Sequence, residues 1–212
     1  EQRNEPPSFD ISEYSSSITC LPFLRNSELV ITLRLIAKVV SPNGKTREAT
    51  FEELYDKSAA FLDEMLSFGI TTCEAKSGYG LDMENEIKML EVIKKLGEEH
   101  KADVVPTFMG AHAIPPEYEG RGDEYIDMMC EEVIPEIRKR GLAEFCDVFC
   151  EDSVFDSTQS KKYLEAARAQ GFELKIHADE IEDIGGSKLA GELEAVSAEH
   201  LIAAGEEGMD AM

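Results

Sequence analysis

The chain has 212 residues, enough for one large domain or two small ones, and 42% of them are apolar, enough for a proper core. Its 44 acidic and 21 basic side chains give a formal net charge of −23. That balance argues against nucleic acid, whose phosphates need Lys and Arg, and against anionic membranes, but leaves small anionic substrates open because local loops set the local field.

Residues 1–46 carry little pattern. EQRNEPPSF is polar and has no apolar h-region, so no signal peptide is expected. The chain opens on Glu1 rather than Met, which reads as a processed, trimmed or incomplete form. LVITLRLIAKVV could be a strand or a short helix; Arg34 and Lys38 break it, and it is too short to span a bilayer. SPNGKT is a turn signal.

From Arg47 onward the pattern is regular. Apolar residues at helical spacing predict a helix over 49–68, closed by Gly69. ITTCEA (70–75) reads as a strand and KSGYG as a loop. Asp82 is expected to cap a helix carrying Ile87, Leu90 and Ile93, which His100 ends at the surface. A strand over 102–109 follows, then the loop GAHAIPPEYEGRG. Asp123 is expected to cap a helix reaching Arg140, kinked by Pro135 and stopped by Gly141. Strands at 144–150, 172–178 and 195–201 alternate with a helix capped by Ser157 and ending at Gly171 and a helical run over 187–194, and a last helix begins after Leu201. Five strands alternating with helices predict a parallel α/β sheet with right-handed crossovers. No Gly-rich dinucleotide fingerprint follows any strand, and polar residues follow every strand, which favours part of a (β/α)8 barrel over a doubly wound sheet.

A barrel places its chemistry at the C-terminal ends of its strands. His112, His177 and His200 all sit there, in TFMGAHA, LKIHADE and VSAEHL. In HADE, a neutral imidazole is a natural ligand for Zn or Fe, and Glu180 could accept a proton from a bound water. Alone, each histidine is as well explained as a capping or structural residue; their equivalent positions are what point to a site. KSGYG is expected to bring Lys76 and Tyr79 to the mouth. The C-x3-C of CDVFCE is not a zinc spacing, and its cysteines read as structural. Glu151 at that strand end could support the site from behind. Five cysteines, an odd number, suggest reduced thiols and a cytoplasmic protein.

ITTCEAKSGYGLDMENEIKML, PTFMGAHAIPPEY, FCDVFCEDSVF, LKIHADEI and AVSAEHL together resemble the imidazolonepropionase family of the amidohydrolase superfamily, over about residues 47–212. The resemblance implies a (β/α)8 barrel, of which 47–212 would be the central part. It implies metal-dependent hydrolysis of 4-imidazolone-5-propanoate to N-formimidoyl-L-glutamate in histidine degradation, by a homodimer with one Zn or Fe per subunit. By motif match, His177 is similar to a metal ligand and Glu180 to the carboxylate that handles the water proton. His200 is similar to the histidine near the metal and carbonyl, and Tyr79, His112 and Glu180 to substrate contacts. The chain departs from the family in having no H-x-H pair, no distal Asp and no β-sandwich built from both termini. One imidazole cannot hold zinc in a working site, so the 212 residues alone are expected to be inactive or nearly so. The alternative is a non-catalytic ligand-binding or interaction protein derived from the barrel. A metal-free lyase using Lys76 is a third, weaker reading.

Overall fold

The computed structural model describes residues 45–212 and, before them, only the backbone of two short strands, Thr19–Cys20 (β1) and Ile31–Leu33 (β2). The strand-or-helix stretch LVITLRLIAKVV thus contains strand at its start; Arg34, Lys38 and the SPNG turn lie outside the described residues. The expected strands all form: Thr72–Lys76 (β3), Asp103–Ala111 (β4), Phe145–Cys150 (β5), Glu173–Ala178 (β6) and Ser197–His200 (β7). The sheet runs in chain order from β1 to β7, and every pair is parallel except β1–β2. In a flat sheet β3 and β6 would lie about 14 Å apart, at about 4.8 Å per strand. Yet Lys175 Nζ on β6 reaches Glu74 Oε2 on β3 at 3.0 Å, so the sheet curls into a half-barrel. This is the partial (β/α)8 architecture the alternation predicted.

The helices follow from local chemistry. After the short helix Lys45–Glu48 (α1), Thr50 and Glu53 form a capping box that starts Phe51–Ser67 (α2). The Asp82 carboxylate accepts from the Asn85 N–H to start Met83–Glu99 (α3), as expected. Buried Met89, Leu90, Ile93 and Leu96 of α3 pack on the outer face of the sheet with Cys73, Phe108, Cys146 and Ile176. The four described cysteines are free. No described helix is long and apolar enough to cross a membrane.

Several boundaries differ from expectation. β4 runs on to Ala111, because the small Gly110 and Ala111 let the chain stay close to β5 through a register shift ending at Ala111–Val148. Asp123 is not a cap: the helix begins at Gly122, and Asp123 takes a hydrogen bond from Gln159 instead. Ser157 is the first helical residue of Ser157–Ala169 (α6), and Asp156 is the cap, accepting from the Thr158 and Gln159 N–H groups. Gly122–Met128 (α4) passes into Ile134–Arg140 (α5) through one wide π turn at Met129–Val133. Pro135 lacks the N–H that would close an α turn, and the Ile134 N–H reaches back five residues to Met129 O. His100 is not loose surface either: its ring accepts from the Ala102 N–H at 3.0 Å and lies 3.3 Å from Asp63, pinning the end of α3. The chain closes with Gly186–Glu192 (α7) and Glu206–Ala211 (α8).

Candidate functional site

The concave face of the half-barrel is charged. Alternation along a strand turns Glu74 and Lys76 of β3 to the same side. Lys76 Nζ lies 2.9 Å from Glu74 Oε1 and 2.6 Å from Asp147 Oδ2 on β5. Thr107 of β4 donates its hydroxyl to Glu74. Lys76 is therefore buried within the barrel, not displayed at its mouth, which removes the basis of the lyase reading. Burial disfavours its charge, but Asp147 and Glu74 outweigh that and raise its pKa. Burial likewise opposes ionisation of Glu74, and Lys76 and Lys175 overcome it, holding that carboxyl below its ordinary value.

His177 on β6 stands beside this layer. Asp147 Oδ1 lies 3.1 Å from its Nδ1. Glu199 of β7 is its register partner, with Oε2 3.2 Å from the same nitrogen but no aligned hydrogen bond. Burial and then the Asp147 charge push the Glu199 carboxyl up. Asp147, His177 and Glu199 present ligand atoms within 4.8 Å of one another, the one group among the described residues whose donors could surround a metal ion.

The predicted site residues converge. His200 Nε2 is 3.2 Å from Glu180 Oε2, and the His177 and His200 rings are 5.4 Å apart. His112 and Tyr79 form a second pair, with ring centroids 4.8 Å apart. Phe149, which the sequence reading did not single out, joins the two groups: its ring lies 6.0 Å from His112, 6.4 Å from His177 and 6.2 Å from His200. His200 and Leu201 both take left-handed backbone angles, φ +69° and +59°, a strained exit that non-glycine residues adopt where surrounding structure demands it.

Buried carboxylates hold the rim loops. Glu151 accepts from the N–H groups of Glu180 at 2.8 Å, Ile181 at 2.9 Å and Glu182 at 3.2 Å, so it supports the loop that carries Glu180. Asp179 accepts from Gly186 and Ser187 at 3.0 and 2.8 Å and caps α7. Glu86 of α3 accepts from Gly78, Gly80 and Leu81 at 2.8 to 2.9 Å, even though burial pushes its carboxyl up. Gly78 is required there: its φ is +110°, and a Cβ would lie 2.5 Å from Met109 O. His112 Nδ1 meets the Gly78 carbonyl at 3.1 Å, tying the Tyr79 loop to the His112 loop. Arg47 clamps the same loop from outside, donating to Gly80 O at 2.7 Å and pairing with Glu117. Cys146 and Cys150 face away from the site, and burial pushes the Cys150 thiol up to about 11.

Asp147, Glu199, Glu86 and Asp179 were not among the predicted site residues. A signal existed for two of them. Asp147 in FCDVFC is an acidic residue inside an otherwise apolar strand, and Glu199 precedes His200 in a strand that ends at the barrel mouth; such charges are buried only where partners await them.

The chain is 55% identical over 174 residues to an imidazolonepropionase of Alkaliphilus metalliredigens, a match that covers 82% of this chain and 41% of the relative. It is 53% identical over 174 residues to one from Streptococcus sanguinis, with the same coverage of each chain. A third, from Geobacillus kaustophilus, is 54% identical over 167 residues, covering 79% of this chain and 39% of the relative. The chain therefore spans about two fifths of the length of these curated relatives. No protein-family model matches it.

Proposed function

We propose, on the premise that this chain is a homologue of imidazolonepropionases over four fifths of its length, that the protein carrying it hydrolyses 4-imidazolone-5-propanoate to N-formimidoyl-L-glutamate in histidine degradation. The observation that carries this is the meeting of Glu180, His200 and His177 at the strand ends, with the His200–Glu180 contact at 3.2 Å. Residues 47–212 would form the central part of the barrel, in a cytoplasmic homodimer acting on a small molecule.

His177 fits one Zn or Fe: a buried imidazole whose Nδ1 meets a carboxylate suits either ion as a ligand. His177 is the residue of this chain that would hold it, and a bound ion of this kind lowers the pKa of water toward neutrality. Glu180 takes the proton of the attacking water as its oxygen bonds to the ring carbonyl carbon. His200 stabilises the charge developing on that carbonyl oxygen. The C–N bond of the cyclic amide then breaks, and Glu180 returns the proton to the departing nitrogen. Tyr79 and His112 hold the substrate, and Phe149 excludes water between the two groups.

Glu180→Gln, made in the protein that carries this chain, is expected to lower ring hydrolysis at least about 100-fold, the range of a lost general acid–base group. Unchanged kcat/KM would overturn the assignment. Calorimetric binding of the acid with no hydrolysis by the wild type would favour a binding protein built on the same barrel.

A further inference from the structure

The candidate metal ligand His177 has two ring nitrogens, and the structure distinguishes them. We propose that Asp147 is the positioning residue that fixes His177 as the Nδ1–H tautomer, leaving Nε2 as the nitrogen available to a metal ion. The tautomer follows from this chain's own geometry; only its use toward a metal rests on the functional reading above.

A neutral imidazole carries one N–H, and the partner of one nitrogen decides which. The partner of Nδ1 is Asp147 Oδ1 at 3.1 Å, on a fully buried residue. Lys76 Nζ lies 2.6 Å from the other oxygen of the same carboxylate and keeps it ionised, hence acceptor only. Glu199 Oε2 sits 3.2 Å from Nδ1 on a neighbouring strand. A bare lone pair on Nδ1 would face the Asp147 carboxylate, whereas an N–H there is attracted by it. Nε2 takes no hydrogen bond from any described residue.

The competing arrangement is an ion seated among Asp147, His177 and Glu199 themselves. Both carboxylates meet the ring at Nδ1, at 3.1 and 3.2 Å, and an ion between them would be a second cation on a carboxylate that already holds the Lys76 ammonium. Like charges sharing one carboxylate in a buried site repel strongly. The Lys76–Asp147–His177 chain therefore works as an orienting relay: the lysine fixes the carboxylate, and the carboxylate fixes the ring.

The test is two-bond proton–nitrogen correlation of the His177 ring in the 15N-labelled protein that carries this chain, free of metal, at mildly alkaline pH. The expected spectrum is a neutral ring protonated at Nδ1. A ring protonated at Nε2, or at both nitrogens, overturns the proposal. Asp147→Asn is expected to shift the ring toward the Nε2–H form, while Glu199→Gln leaves it at Nδ1–H; an unchanged ring in Asp147→Asn would also overturn it. If Asp147→Asn does not fold, the wild-type spectrum alone decides. Zn2+ is then added by itself to the metal-free wild-type protein that carries this chain. An Nδ1–H ring whose Nε2 signal ignores Zn2+ there leaves the tautomer standing and counts against the metal reading instead.

Discussion

At the scale of single residues, the chain puts five charges where water is scarce. Glu74, Lys76, Asp147, Lys175 and Glu199 line the concave face, and isolated charges there would be prohibitive. They persist because each carboxylate of the Glu74 and Asp147 pair has its own ammonium. Removing one partner of such a set leaves a buried charge uncompensated, at about 3 kcal/mol or more. Glu74→Gln is expected to cost that much at neutral pH. The pH dependence has a definite sign: because the folded Glu74 carboxyl sits below its ordinary value, its contribution is complete above the unfolded-state pKa of about 4.3 and is lost as pH falls through the lowered folded value. The urea-unfolding gap between wild type and Glu74→Gln should therefore be widest near neutrality and narrow in acid. A gap of equal size throughout would contradict the role given to Glu74.

At the scale of elements, the site depends on loops that have no regular structure of their own. The strand ends deliver Cα positions; buried carboxylates then set the loop backbones. Glu151 does this for the Glu180 loop with three N–H groups, Glu86 for the Tyr79 loop and Asp179 for the start of α7. Hydrogen bonds to a charged acceptor contribute about 1.5–3 kcal/mol each when both groups are buried. Glu151→Gln keeps the shape but loses the charge and one acceptor. Amide exchange at residues 180–182 is expected to speed up at least about tenfold, with little change in the strand amides of β5 and β6. Equal acceleration across both strands would mean Glu151 supports the sheet and not the loop. The same scale explains α4 and α5: the sequence places Pro135 inside a helix, and the chain accommodates it by widening one turn.

At the scale of the whole molecule, the net charge of −23 comes from about twice as many acidic as basic side chains. Self-repulsion on that scale opposes compaction, and salt screens it: the Debye length falls from about 30 Å at 0.01 M to well under 10 Å at 0.5 M. The urea midpoint should rise between those two concentrations of NaCl. A falling midpoint would mean that the exposed pairs, such as Lys95–Glu99 and Arg140–Glu136, outweigh the global repulsion.

The sequence by itself determined the alternation of strands and helices, and with it a parallel sheet whose strand ends carry His112, His177 and His200. Period-2 and period-3.6 patterns are local, and the side-chain chemistry of HADE and SAEH is visible in a linear string. Asp82 was legible as a cap at its own position, the α6 cap only to within one residue: Asp156 and Ser157 are both good caps, and backbone geometry chose between them. The tertiary structure alone decided what lies behind the histidines. Lys76 reads as a loop residue in KSGYG, but the curl of the sheet brings it to Asp147, 71 positions away. Asp147 and Glu199 reach the same imidazole nitrogen from the two strands that flank β6, neighbours that pair only when the sheet assembles. Contacts across two or three strands depend on curvature, which is a property of the assembled sheet and leaves no periodic trace in any one segment.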